Sequence, residues 1–136
     1  MTPDQMRLVR QSFSAVKQRT DAGQIFYGRL FAIAPELRPM FKSDINAQSA
    51  KFIDMLGVII GLLHDPSSLS HTLAQLAHRH RGYGVRDEHF DVVGKALLLA
   101  LADIMGPRFT PELNAAWGDL YSLVASAMKR WSPPVH

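Results

Sequence analysis

Residues 69–85 read Leu-Ser-His-Thr-Leu-Ala-Gln-Leu-Ala-His-Arg-His-Arg-Gly-Tyr-Gly-Val. On a helix, Leu69, Leu73, Leu76 and His80 stand at i, i+4, i+7 and i+11. They share one narrow stripe, apolar for three turns and ending in an imidazole. Gly82 and Gly84 follow at once and end the helix. His71 and His78 lie off the stripe and are expected to face water. The geometry therefore singles out His80 from six histidines as the one aimed into apolar space at a chain reversal. Two readings stay open at this point. The ring is either a core residue whose nitrogens find backbone partners, or a ligand offered to something held in that space.

The same helical spacing runs through the rest of the chain, and no stretch shows convincing period-two alternation. Thr2-Pro3-Asp4 supplies a cap, a proline at the first helical position and an acid in the first turn. Met6, Val9, Phe13 and Val16 then keep the period. Thr20-Asp21 is expected to cap a second helix, whose Ile25, Phe26, Tyr27, Leu30, Phe31 and Ile33 make it apolar on more than one side. Pro35 and Pro39 limit residues 35–41 to one or two turns of tighter pitch, before a polar loop at 42–46. Gln48, Phe52, Met55, Ile59 and Leu63 align on a long helix that ends near His64-Asp65-Pro66, and Ser67 or Ser68 then caps the helix bearing His80. Arg86-Asp87 opens another, with Phe90, Val93, Leu97, Ala100, Leu101 and Ile104 inward and Gly106-Pro107 at its close. The last starts at Thr110-Pro111-Glu112, carries Leu113, Trp117, Leu120, Tyr121, Val124 and Met128, and stops before Ser132-Pro133-Pro134. The expected class is all-α: six main helices and a short one, forming one domain over residues 1–136.

Composition removes several function classes. The chain has no cysteine, which excludes disulfides and thiolate metal sites. Its first twenty residues carry Asp4, Arg7, Arg10, Lys17 and Arg19 and no apolar segment of signal-peptide length. The longest uncharged apolar run, residues 55–63, is far too short for a membrane helix. A cytoplasmic protein without a membrane span is expected, as a monomer or weak homodimer. Net charge is +3 and the isoelectric point near 9.5, yet the basic residues are scattered among acids. Only Arg79 and Arg81 beside His80, and Lys129-Arg130, approach a cluster, so a nucleic-acid partner is not expected.

Between Gln48 and His80 run two helices whose inner stripes are apolar except at those two residues, near opposite ends. Facing each other, such stripes enclose a dry slot with an imidazole on one wall. Tyr27 and Gln48 supply a phenol and an amide to the other, with Phe41 also preceding the slot. Haem, flat and apolar and carrying a metal, suits such a space. A neutral imidazole nitrogen ligates iron from one side, and a hydroxyl and an amide hydrogen-bond a ligand on the other. Filling the slot with side chains would require no polar group at either pole.

In this order and spacing, three segments resemble a known family. Ile25-Phe26-Tyr27 through Pro35-Glu36-Leu37 to Phe41 looks like the second and third helices of a globin. Arg79-His80-Arg81-Gly82-Tyr83-Gly84-Val85, with His89-Phe90 and Val93-Gly94, looks like the segment of the proximal histidine. Ala115-Ala116-Trp117 with Tyr121 resembles the final helix. Over nearly its whole length the chain resembles a single-domain bacterial globin related to the globin part of flavohaemoglobins. The resemblance implies a three-on-three helical sandwich with haem b between the Gln48 and His80 helices.

It also implies roles position by position. His80 matches the proximal iron ligand, and Phe41 the phenylalanine wedged against the haem. Tyr27 and Gln48 match the distal pair, and Phe52 the apolar residue one turn after that glutamine. Val85 matches a haem contact after the proximal helix; Leu76, Tyr83 and Phe90 are expected to border the cofactor from the same side. Lys51 lies near the expected pocket mouth, either pairing with a haem propionate or simply solvated. Two departures stand out. The tyrosine and glutamate that support the proximal histidine in flavohaemoglobins correspond here to Phe90 and Ser132. His80 is then an ordinary donor whose other nitrogen bonds a backbone carbonyl. Nor does the chain have room for a flavin and nicotinamide reductase domain, so re-reducing the iron needs a separate partner.

The function expected is reversible binding of O2, and of NO and CO, at ferrous haem, serving O2 transport or NO detoxification with an external reductase. The alternatives are a dedicated nitric oxide dioxygenase, a gas sensor acting through a partner, and a haem-free helical interaction protein that would have no need of His80.

Overall fold

The structure, a computed structural model, describes residues 1–41, 44–82 and 84–131, and every regular element among them is helical. The α-helices are α1 (Pro3–Gln18), α2 (Ala22–Ile33), α3 (Ile45–Gly61), α4 (Pro66–Gly82), α5 (Asp87–Met105) and α6 (Pro111–Arg130). Tighter 3₁₀ turns span Pro35–Met40, as the two prolines require, and Gly106–Arg108, which the sequence pattern did not anticipate.

Most helix starts follow their local chemistry. Thr2 Oγ1 accepts the Gln5 N–H at 3.1 Å while Gln5 Oε1 accepts the Thr2 N–H at 3.0 Å, a reciprocal capping box. Thr110 Oγ1 accepts the Leu113 N–H at 3.2 Å at the start of α6. Three expectations need correction. Asp21 occupies the cap position of α2 without capping it, its carboxylate instead accepting from Nε and Nη2 of Arg19 at 2.9 and 3.0 Å. The helix bearing His80 is capped by Asp65, which accepts from Ser68 N–H at 3.3 Å and Ser68 Oγ at 2.8 Å; Ser67 and Ser68 lie inside it. Ile45 and Asn46 belong to α3, not to the polar loop; Asp44 Oδ1 accepts the Asn46 N–H at 3.3 Å, and residues 42 and 43 lie outside the described set.

The helices pack around a main apolar core, with a smaller cluster formed by Ala77, Phe90, Ala125 and Met128. α2 crosses both α3 and α5, while α6 packs on α1, α4 and α5. α3 leans on α2 and α1 and α4 on α6, so α3 and α4 do not form a close pair although a short turn joins them. Glycine sets the closest approaches. A Cβ on Gly23 would sit 2.5 Å from the Ser49 Cβ, and one on Gly94 would sit 2.6 Å from the Tyr121 ring. The α2–α3 and α5–α6 crossings therefore depend on the missing side chains. Trp117, fully buried, donates its indole N–H to Ser12 Oγ at 2.9 Å and ties the last helix to the first. Arg29 joins α2 to α5 through Asp103, but the pair is exposed and adds little.

Candidate functional site

α4 ends as its two glycines foretold. Gly84 has φ +85°, in the left-handed region that favours glycine, and its N–H bonds the Arg81 carbonyl at 3.1 Å. The Val85 N–H reaches back to the His80 carbonyl, also at 3.1 Å. This Schellman closure turns the chain back on itself at His80. Arg81 braces the turn, donating to the Val85 carbonyl at 3.3 Å and to Asp87 at 2.7 Å. Beyond it Arg86 N–H donates to His89 Nδ1 at 3.0 Å, so α5 is capped by a histidine side chain.

Along α4, Leu69, Leu73 and Ala77 are buried, whereas Leu76 and His80 at the glycine end are only partly so. His80 Nδ1 lies 2.8 Å from the Leu76 carbonyl oxygen. A carbonyl only accepts, so Nδ1 carries the proton. Burial holds the His80 pKa below the usual histidine value; the Leu76 carbonyl opposes that shift and neighbouring Arg79 adds to it. A neutral ring with Nδ1–H engaged leaves Nε2 as an unprotonated lone pair. His71 and His78 are exposed, as expected, in an open groove with Ala74, Gln75, Arg79 and Trp131 on a different face of the helix.

The α3 wall shows the same gradient. Ile59 and Ile60 near its end are buried, while Gln48, Phe52, Met55 and Leu56 are partly exposed. Large apolar side chains left partly uncovered on two helices that do not close on each other fit a flat apolar group inserted between them.

Tyr27 on α2 is 3% exposed and sits among four phenylalanines: Phe26 at 4.9 Å, Phe41 at 5.2 Å, Phe31 at 5.8 Å and Phe52 at 6.0 Å between ring centroids. Burial pushes its phenol above the usual pKa, and the Gln48 amide beside the hydroxyl acts the other way. The Gly23–Ser49 approach explains this juxtaposition: Gly23 lies one turn before Tyr27, and Ser49 follows Gln48 directly. The structure thus brings Tyr27, Gln48, Phe41 and Phe52 into one neighbourhood. On the His80 side, Val85 packs against a cluster of Ala77, Phe90, Ala125 and Met128. Phe90 is buried there, with its carbonyl accepting the Tyr121 hydroxyl. Lys51 is exposed on α3. Tyr83 and Ser132 lie outside the described residues.

Sequence reasoning did not assign a site role to Phe26 or Phe31, nor see the Gly23–Ser49 contact or the His89 cap. The aromatic surplus on α2 and the small residues at 23 and 49 were the available signals.

A family model described as Globin matches residues 24–128. A flavohemoprotein of Bordetella pertussis is 31% identical over 133 residues, covering 94% of this chain and 33% of that protein. A flavohemoprotein of Bacillus subtilis is 30% identical over 105 residues, covering 75% of this chain and 26% of that protein. The chain spans a third or less of the length of these curated relatives.

Proposed function

The chain belongs to the globin family, and from that premise we propose that it holds haem b between α3 and α4 and binds diatomic gases, O2 foremost, with NO and CO also accepted. The observation that carries this reading is His80: half-buried, neutral, oriented by the Leu76 carbonyl at 2.8 Å and left with a lone pair on Nε2. Haem, when bound, would supply a ferrous iron able to take a diatomic gas, with His80 as the residue that would hold it. The chain supplies the surroundings. Phe52, Met55 and Leu76 would line the space that holds the haem and keep water out, with Phe41 and Val85 at the two helix corners. Tyr27 presents a hydroxyl whose raised pKa keeps it protonated, hence a donor, throughout the neutral range. Gln48 supplies a second donor or a gate.

Phe90 replaces the tyrosine expected behind the proximal ligand and brings no hydroxyl, so His80 is oriented by backbone rather than by a side-chain network. That favours reversible O2 binding over strongly donor-assisted chemistry. NO detoxification is the accompanying role we propose, with a reductase as electron source; the flavohemoprotein relatives motivate that partner. We further propose a cytoplasmic location; none of the described helices is long and apolar enough to cross a membrane.

The test is an absorption spectrum of the haem-supplied protein, reduced and exposed to CO, beside His80→Ala. A Soret band that shifts with CO and that the substitution weakens or displaces supports ligation by His80. A colourless protein that cannot be loaded with haem overturns it.

A further inference from the structure

Phe26 and Phe52 come from different helices, yet their rings lie 4.0 Å apart and within 5° of parallel. Phe26 is fixed in place: it is 3% exposed, with the edge of Tyr27 against it. Phe52 is only partly buried, on the α3 stripe it shares with Gln48 and Met55. A helical phenylalanine has two populated χ1 wells. The observed well parks the Phe52 ring on α2. Released from Phe26, the ring can turn along the α3 face it shares with Gln48, whose amide stands beside the Tyr27 hydroxyl. The stacked contact with Phe26 is what holds the ring in its observed position.

Building on the haem reading above, we propose that Phe26 is a positioning residue for gas entry. By holding the Phe52 ring back against α2, it keeps open the space beside the Tyr27 hydroxyl.

The test uses the reduced, haem-loaded protein with carbon monoxide as the probe. In Phe26→Leu, CO association after flash photolysis slows about two- to tenfold, the population shift that one aromatic pair supports. The Phe52 ring-proton resonances, assigned by difference with Phe52→Leu, lose the upfield displacement imposed by a stacked neighbour. The double variant Phe26→Leu/Phe52→Leu recovers or exceeds the original rate, because no ring remains to swing. A merely structural role for Phe26 would leave the double variant at least as slow as the single one. Should Phe26→Leu fail to fold, Phe26→Met takes its place as the nearer match in volume. The Phe52 resonances of the unsubstituted protein then report the stack independently. An unchanged rate in the single variant, a double variant no faster than it, or an unstacked Phe52 in the unsubstituted protein overturns the proposal. Failure of the unsubstituted protein to give any Soret band overturns the haem reading instead.

Discussion

On the function proposed above, gas selectivity turns on Tyr27. Its ring is 3% exposed among phenylalanines and its hydroxyl stands beside the Gln48 amide, so a hydrogen bond to a ligand there is little diluted by water. Dioxygen gains negative charge on binding, and carbon monoxide stays nearly neutral. A hydrogen bond to a charged acceptor contributes about 1.5–3 kcal/mol, equivalent to about tenfold to a hundredfold in affinity. Tyr27→Phe is expected to speed O2 dissociation by that factor in stopped-flow measurements while CO release changes far less. Equal acceleration of both gases would mean that the hydroxyl acts by packing alone.

At the scale of elements, the α2–α3 crossing sets where Tyr27 and Gln48 stand. Gly23→Ala places a Cβ 2.5 Å from the Ser49 Cβ and 2.7 Å from its carbonyl oxygen, and backbone cannot rotate aside as a flexible side chain can. Forcing these helices apart is expected to cost about 1–3 kcal/mol, read as a lower urea midpoint. Gly28, one turn after Gln24 on the same helix, is the matched control. A Cβ there meets nothing within 4 Å, so Gly28→Ala is expected to stabilise by about 0.5–1 kcal/mol. If both alanines behaved alike, helix propensity rather than the crossing would be the controlling factor.

For the whole molecule, the Ser12–Trp117 bond joins residues 105 apart in sequence and holds the first helix on the last. Ser12 Oγ itself donates to the Leu8 carbonyl at 2.8 Å, so one hydroxyl is satisfied in both senses. Ser12→Ala would strand the buried indole N–H of Trp117 without an acceptor, at about 1–3 kcal/mol. Chemical denaturation should show a lower midpoint with an unchanged slope. A change in slope would point instead to an altered native or denatured ensemble.

Taken by itself, the sequence determined what is periodic and local. Apolar spacing placed all six α-helices, prolines 35 and 39 forced the tight turn, and the glycines at 82 and 84 marked where α4 stops. The same spacing put His80 at the end of a stripe, and the resemblance named Tyr27, Gln48, Phe41 and Phe52 as its counterparts. Capping was less legible at Asp21 and Asp65, because a short polar side chain has several partners within reach and the winner depends on the neighbouring charge. Only tertiary structure decided that Phe52 lies flat on Phe26 and that Gly23 admits Ser49. Periodicity fixes which face of a helix a residue occupies. Which side chain from a distant helix meets it there, and in which rotamer, is set by close packing between elements far apart in the chain.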